Sequence, residues 1–164
     1  DGDNDGKINK KEDYLLAEDI TEGTMSFTIA PCCSPIPGDS VVCFIDDDGS
    51  VVVHKKSCEV ANSLASKYGN KIVPAKWSKH FMMSYLAGIS IKGIDRIGIL
   101  SDVTRALAMH LGINLRKILI EAHDEIFEGN IELYVHNTED LGRIIDTLKE
   151  IKGIEMVKRI ELSN

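Results

Sequence analysis

No part of this 164-residue sequence approaches the ~20 consecutive apolar residues of a membrane-spanning helix. No secretory leader pattern opens it, and four cysteines in this arrangement suit a reducing compartment, so the expected location is the cytoplasm. A strong positive balance is missing as well. The net charge is −7, and only the middle of the chain escapes it: residues 1–30 carry −5, residues 31–80 carry +1 and residues 81–164 carry −3. A broad nucleic-acid footprint is thereby excluded, and any RNA contact has to be local. Catalytic signatures are absent too: there is no phosphate-binding P-loop, no H-E-x-x-H and no G-x-S-x-G elbow. The chain itself is therefore expected not to be an enzyme.

What is present suits one or two small domains of ordinary hydrophobic content, 43%. A core of that size is modest, which favours a metal staple. Three of the four cysteines and one histidine make the pattern Cys32-Cys33 followed by His54-x-x-x-Cys58. Adjacent cysteines do not readily bridge each other, but three thiolates and an imidazole close a tetrahedral Cys₃His site of the structural zinc type. Pro35-x-Pro37-Gly38 stiffens the chain beyond the first two ligands. Buried reduced thiols and a disulfide are the competing readings. His54 and Cys58 also allow a thiol nucleophile and its base, but zinc would use the same atoms and account for Cys32 and Cys33 as well.

Residues 1–23 read as an acidic linker. Asp1–Glu12 fits the D-x-[DN]-x-[DN]-G-x₅-E calcium loop in full, yet has no incoming helix and no second loop, so a solvated tail is favoured over calcium binding. A short helix is expected around Tyr14, Leu15 and Leu16. Residues 24–79 form the cysteine module. In it, strands are expected at Thr24–Ala30, Val41–Ile45, Val51–His54 and Ile72–Trp77, with Asp46-Asp47-Asp48-Gly49 as a hairpin turn. Ser57 is the candidate cap of a helix running to Tyr68. Trp77, the sole tryptophan, is expected to pack where the two modules meet rather than to stack on a base.

Residues 80–164 alternate regularly. A strand is expected over Phe81–Lys92 and a helix over Ile99–Leu111, followed by strands over Ile113–Ala122 and Ile126–Val135. A helix capped by Thr138 and a last strand over Ile154–Ile160 complete the pattern. The order βαββαβ is that of a ferredoxin-like α+β sandwich, so the fold class is α+β: a small ββαβ metal-type module followed by this sandwich.

Two stretches carry a family resemblance. Ala30-Pro31-Cys32-Cys33-Ser34-Pro35-Ile36-Pro37-Gly38-Asp39, with His54-Lys55-Lys56-Ser57-Cys58 and then Ile72–Trp77, resembles the cysteine module near the C-terminus of long RelA/SpoT homologues. These are the GTP pyrophosphokinases of the bacterial stringent response. Asp95-Arg96-x-Gly98-Ile99-Leu100 with Asp102, then Gly112-Ile113-Asn114, resembles an ACT domain. The resemblance implies zinc ligands at Cys32, Cys33, His54 and Cys58, with Cys43 standing where the family usually has Gly. It also implies an amino-acid site at Asp95, Arg96, Gly98, Ile99 and Asn114, often across a dimer interface. The helix N-terminus after Gly98 would welcome a carboxylate there, and Arg96 could pair with it.

By this resemblance the chain is the non-catalytic regulatory part of a (p)ppGpp synthetase/hydrolase, whose catalytic domains lie N-terminal to it. It would sense amino-acid starvation through ribosomal RNA and tRNA. Lys55, Lys56, Lys76 and Lys79 are the cations expected at phosphates. An exposed ferredoxin-like sheet edge favours a homodimer. The competing readings are an amino-acid-binding ACT dimer with a purely structural zinc, and a calcium module through Asp1–Glu12.

Overall fold

A computed structural model describes residues 13–19, 24–78, 83–109 and 113–162. The calcium-loop pattern at Asp1–Glu12, and Lys79, Phe81, Leu111 and Gly112, lie outside the described residues. Contacts divide the chain into two units: residues 1–35 with 40–81, and residues 36–39 with 82–164.

The first unit contains β1 (Tyr14–Leu16), β2 (Glu18–Asp19), β3 (Thr24–Met25), β4 (Thr28–Ile29), β5 (Val41–Ile45), β6 (Val51–Lys55), α1 (Glu59–Tyr68) and β7 (Ile72–Trp77). Its sheet runs β1-β7-β5-β6-β4, while β2 and β3 form a separate two-stranded ribbon. The ββαβ heart is β5, β6, α1 and β7; β1 and β4 extend it as parallel edge strands. The expected helix at Tyr14–Leu16 is a strand instead. Leu16 is fully buried and pairs with Trp77, so a tertiary contact some 60 residues away overrides local preference. The β5–β6 turn is as expected, with Gly49 at φ 86° and Asp48 accepting from the Ser50 N–H. Buried Phe27, Val41, Cys43, Val51, Val53, Ala61 and Val73 make the core. Trp77 meets Phe27 edge to face at 5.9 Å.

The second unit contains β8 (Tyr85–Ile94), α2 (Ile99–Met109), β9 (Asn114–His123), β10 (Ile126–Val135), α3 (Thr138–Lys149) and β11 (Ile154–Ile160). Its antiparallel sheet is ordered β11-β8-β10-β9, the ferredoxin-like arrangement. Alternate residues of β8 and β10 face inward: Tyr85, Ala87, Ile89 and Ile91, with Phe127, Ile131, Leu133 and Val135. Ile99, Val103 and Leu107 of α2 and Leu141, Ile144 and Leu148 of α3 close over them. Two caps differ from expectation. Asn137, not Thr138, caps α3 by accepting from the Asp140 N–H at 2.7 Å, because its extended backbone lets the short amide reach back. Cys58, not Ser57, stands at the N-cap of α1.

Ile36–Asp39, the part of the Pro-x-Pro-Gly-Asp motif after Pro35, belongs to this second unit. Ile36 is fully buried, the Pro37 carbonyl accepts from the Thr138 N–H at 2.8 Å, and Gly38 sits at φ 102°. Arg159 donates two hydrogen bonds to the Asp39 carboxylate, at 2.6 and 2.8 Å. Only 13% of the Asp39 side chain and 24% of the Arg159 side chain remain exposed. A bidentate pair so shielded is worth more than a surface ion pair, and losing one partner strands the other. Asp39→Ala is expected to destabilise the second unit by about 2 kcal/mol, seen as a drop of roughly 10 °C in its thermal midpoint.

Candidate metal centre

Three local structures bring the four ligand candidates together. After β4 the chain turns tightly, with the Cys33 and Ser34 N–H groups both donating to the Ala30 carbonyl at 3.5 and 2.9 Å. Ser34 takes a left-handed φ of 45°, which closes the knuckle. Ala30 is tied to β6 through the Val53 carbonyl at 3.0 Å, which sets the knuckle beside His54. Cys58 follows from the turn after β6, where its N–H donates to the Lys55 carbonyl at 3.0 Å as the chain enters α1.

All four donor atoms lie within 4.8 Å of one another. The Cys32 Sγ is 3.9 Å from the Cys33 Sγ, 3.7 Å from the Cys58 Sγ and 3.4 Å from the His54 Nδ1; the Cys33 Sγ is 3.9 Å from that nitrogen. A tetrahedral zinc with bonds of about 2.3 Å to sulfur and about 2.0–2.1 Å to nitrogen has sulfur–sulfur edges near 3.8 Å and sulfur–nitrogen edges near 3.5 Å. These four spacings, 3.4–3.9 Å, lie close to those edges, and the sulfur–sulfur ones are far beyond a disulfide bond of about 2.05 Å.

The electrostatics fit the same reading. Burial lowers the pKa of His54, so the ring is neutral and has a lone pair to give. Burial pushes the Cys33 thiol up to about 12, although the Lys55 N–H donates to its sulfur at 3.3 Å. Burial also raises Cys32. At Cys58 burial raises the pKa too, but the N–H groups of Ala61 and Val60 and the Cys32 and Cys33 thiols outweigh it and hold the group below its usual value. A thiol at a helix N-terminus ionises readily for this reason. The pocket thus starts with one thiol that ionises more readily than usual, and a cation would supply the drive to ionise the other two. The Lys55 N–H and the helix N–H groups were not foreseeable as single residues; the His-x-x-x-Cys spacing ahead of a helix was their only trace. Cys43 stands apart, fully buried mid-sheet between Val53 and Val73, its thiol pushed up to about 12 by burial.

The candidate phosphate-binding lysines lie near the centre. Lys55 ends β6 and shares a sheet row with Ala75; one residue beyond that row the exposed Lys56 donates its N–H to the Ser40 carbonyl, and the exposed Lys76 follows Ala75 on β7. The two flanking strands stand about 10 Å apart across β5.

The second candidate site is organised differently. Arg96 is spent on the fold: its Nε and one Nη donate to the Lys152 carbonyl at 2.9 and 2.7 Å, and that Nη also pairs with Asp102 at 2.7 Å. Gly98, at φ 86°, leads into α2, and Ile99 is buried in the core. Asp95 is exposed, with its N–H donated to the Glu125 carbonyl, and Asn114 opens β9.

Comparison with known proteins matches residues 18–78 to the RelA/SpoT RIS domain and residues 82–159 to the ACT domain. The chain is 29% identical to the GTP pyrophosphokinase of Escherichia coli over 142 residues, 84% of this chain and 19% of that protein. It is likewise 29% identical to the bifunctional (p)ppGpp synthase/hydrolase RelA of Mycobacterium tuberculosis over 132 residues, 80% of this chain and 18% of that protein. The chain therefore spans about a fifth of the curated relatives it matches. The crystal structure of the ACT domain from the GTP pyrophosphokinase of Chlorobium tepidum is 33% identical, with 48% of this chain and 100% of that one covered and a TM-score of 0.45.

Proposed function

We propose, for a chain that belongs to the RelA/SpoT family and joins its RIS and ACT domains, a non-catalytic regulatory role in a (p)ppGpp synthetase/hydrolase of the stringent response. Cys32, Cys33, His54 and Cys58 hold a structural zinc, and the single observation that supports this is the gathering of their four ligand atoms within 4.8 Å of one another. Zinc supplies no reaction here; it fixes the knuckle against β6 and α1 and so presents Lys55, Lys56 and Lys76 on one end of the sheet. Lys79, outside the described residues, joins them by sequence. The partners of this surface are ribosomal RNA and tRNA in the cytoplasm, and the signal passes to catalytic domains of the same parent chain. The ACT domain contributes a homodimer contact. An amino-acid sensor acting through Arg96 finds less support, since that guanidinium already serves Lys152 and Asp102.

Sedimentation of the zinc-loaded chain with ribosomes carrying deacylated tRNA tests the proposal. Binding is expected, falling about tenfold in a Lys55→Glu/Lys56→Glu/Lys76→Glu variant, with a shallower salt dependence because fewer phosphates are neutralised. No co-sedimentation at low salt would overturn the ribosome-binding role.

A further inference from the structure

The sheet of the second unit carries a groove on the face turned away from α2 and α3. Along β10, Phe127, Ile131, Leu133 and Val135 face the helices, so Glu128, Asn130 and Glu132 point the other way. Two cavities of about 470 and 170 Å³ lie over them; both are lined by Leu119 and Asn130, so they adjoin. Glu128 and Glu132 mark the two ends, about 14 Å apart along the strand, with Asn130 midway.

Glu132 is the unusual group. It is only 9% exposed and lines the smaller cavity. Its carboxylate meets one cation, the Arg116 Nε, at 3.9 Å, and among the described residues it accepts no hydrogen bond. Lys117 stands across from it in the β9–β10 ladder but makes no ion pair with it. A buried carboxylate held so loosely is costly unless a donor cation reaches it. At the other end Glu121 lies directly across from Glu128, a like-charge pair. Lys92 at 3.6 Å and His123 at 3.5 Å relieve Glu128, while among the described residues no cation pairs with Glu121.

We propose that this groove binds a linear aliphatic polyamine, with one ammonium group at Glu132, one over Asn130 and one between Glu121 and Glu128. Acceptors recur about every 7 Å along the floor, and a polyamine presents its cations at comparable intervals. Leu119, Met156 and Ile160 supply apolar surface for the methylenes between them. Four carboxylates against two lysines line the groove, which disfavours an anion, and no aromatic ring lines it for a base to stack on. One metal ion cannot join its two ends, because ligand oxygens must lie within about 2.6 Å of such an ion. The site is on the opposite face of the sheet from α2, and it does not depend on the ribosome reading.

NMR titration of the 164-residue chain with spermidine tests this. Amide shifts are expected around Leu119, Asn130 and Glu132, with saturation at one site. Glu132→Gln is expected to weaken binding about tenfold, and so is Glu121→Gln/Glu128→Gln at the exposed end, because each removes a charged acceptor. n-Butylamine, with a single ammonium, is expected to bind at least about tenfold more weakly than spermidine. Melting curves check that the variants fold, and the exposed pair keeps the test open if Glu132→Gln does not. No saturable binding overturns the site. So do shifts confined to other acidic segments, unchanged affinity in both variants, or displacement by magnesium at equal charge. n-Butylamine binding as tightly as spermidine overturns the polyamine.

Discussion

Replacing Cys33 with serine is expected to abolish metal retention and to unfold the first unit at temperatures where the second stays folded. Cys33 is 5% exposed, and its Sγ lies 3.9 Å from both the Cys32 Sγ and the His54 Nδ1. Without the cation, the pocket confines three sulfurs, two of them with raised pKa, against one imidazole. Structural zinc contributes on the order of 10–16 kcal/mol of apparent binding free energy in peptides that fold around it. A five-stranded sheet that already buries Val53, Val73 and Leu16 depends on the metal less. A loss of about 5 kcal/mol is the expected size, visible as a separate early transition in calorimetry and as loss of zinc in native mass spectrometry. Chelation of the wild-type chain should reproduce it. Cys43→Ser provides the contrast: it buries a hydroxyl among valines at a cost of about 1–3 kcal/mol but keeps the metal. If Cys33→Ser keeps one zinc per chain, or loses it without any change in the melt, the knuckle does not hold the unit together.

Gly93→Ala is expected to be strongly damaging to the second unit. A Cβ there would stand 2.2 Å from the Gly153 carbonyl oxygen and 2.9 Å from the Ile154 Cα. Those atoms cannot swing away as a side-chain tip would, because the Gly153 carbonyl accepts from the Ile94 N–H at 2.8 Å and Ile154 is paired with Gly93 in the sheet. The register already shifts between Ile154 and Met156, so the β8–β11 junction has little slack. Separation of β11 from β8 at this end should cost about 3 kcal/mol, near the upper end for overpacking a core. Thermal or urea melts check the size. Amide exchange checks the place, with protection expected to fall along Ile154–Ile160 while α2 keeps its own. A wild-type midpoint would mean that the close approach at Gly93 has room to relax.

Much of this architecture could be read before any coordinates, and the failures share a cause. The βαββαβ order followed from alternation and helical spacing, since Tyr85, Ala87, Ile89 and Ile91 lie on one face and Leu141, Ile144 and Leu148 on another. That Cys32, Cys33, His54 and Cys58 come together was legible because ligand chemistry limits which residues such a cluster can contain. The missed pieces depend on distant partners. Leu16 becomes a strand residue only by pairing with Trp77. Asp39 finds Arg159 120 positions away, which turns a motif that reads as a stiff turn into an anchor of the second unit. Arg96 looks like a free cation until Lys152 presents its carbonyl. Caps differed by one residue for a local reason, the backbone angle at Asn137, which side-chain type alone does not report.

Zinc-edge X-ray absorption on the purified chain tests the central claim most directly. One zinc per chain is expected, with three sulfur atoms at about 2.3 Å and one nitrogen at about 2.0–2.1 Å. A shell of four sulfurs would put Cys43 in the site in place of His54, and a shell of oxygen and nitrogen, or no bound zinc, would contradict the metal centre altogether.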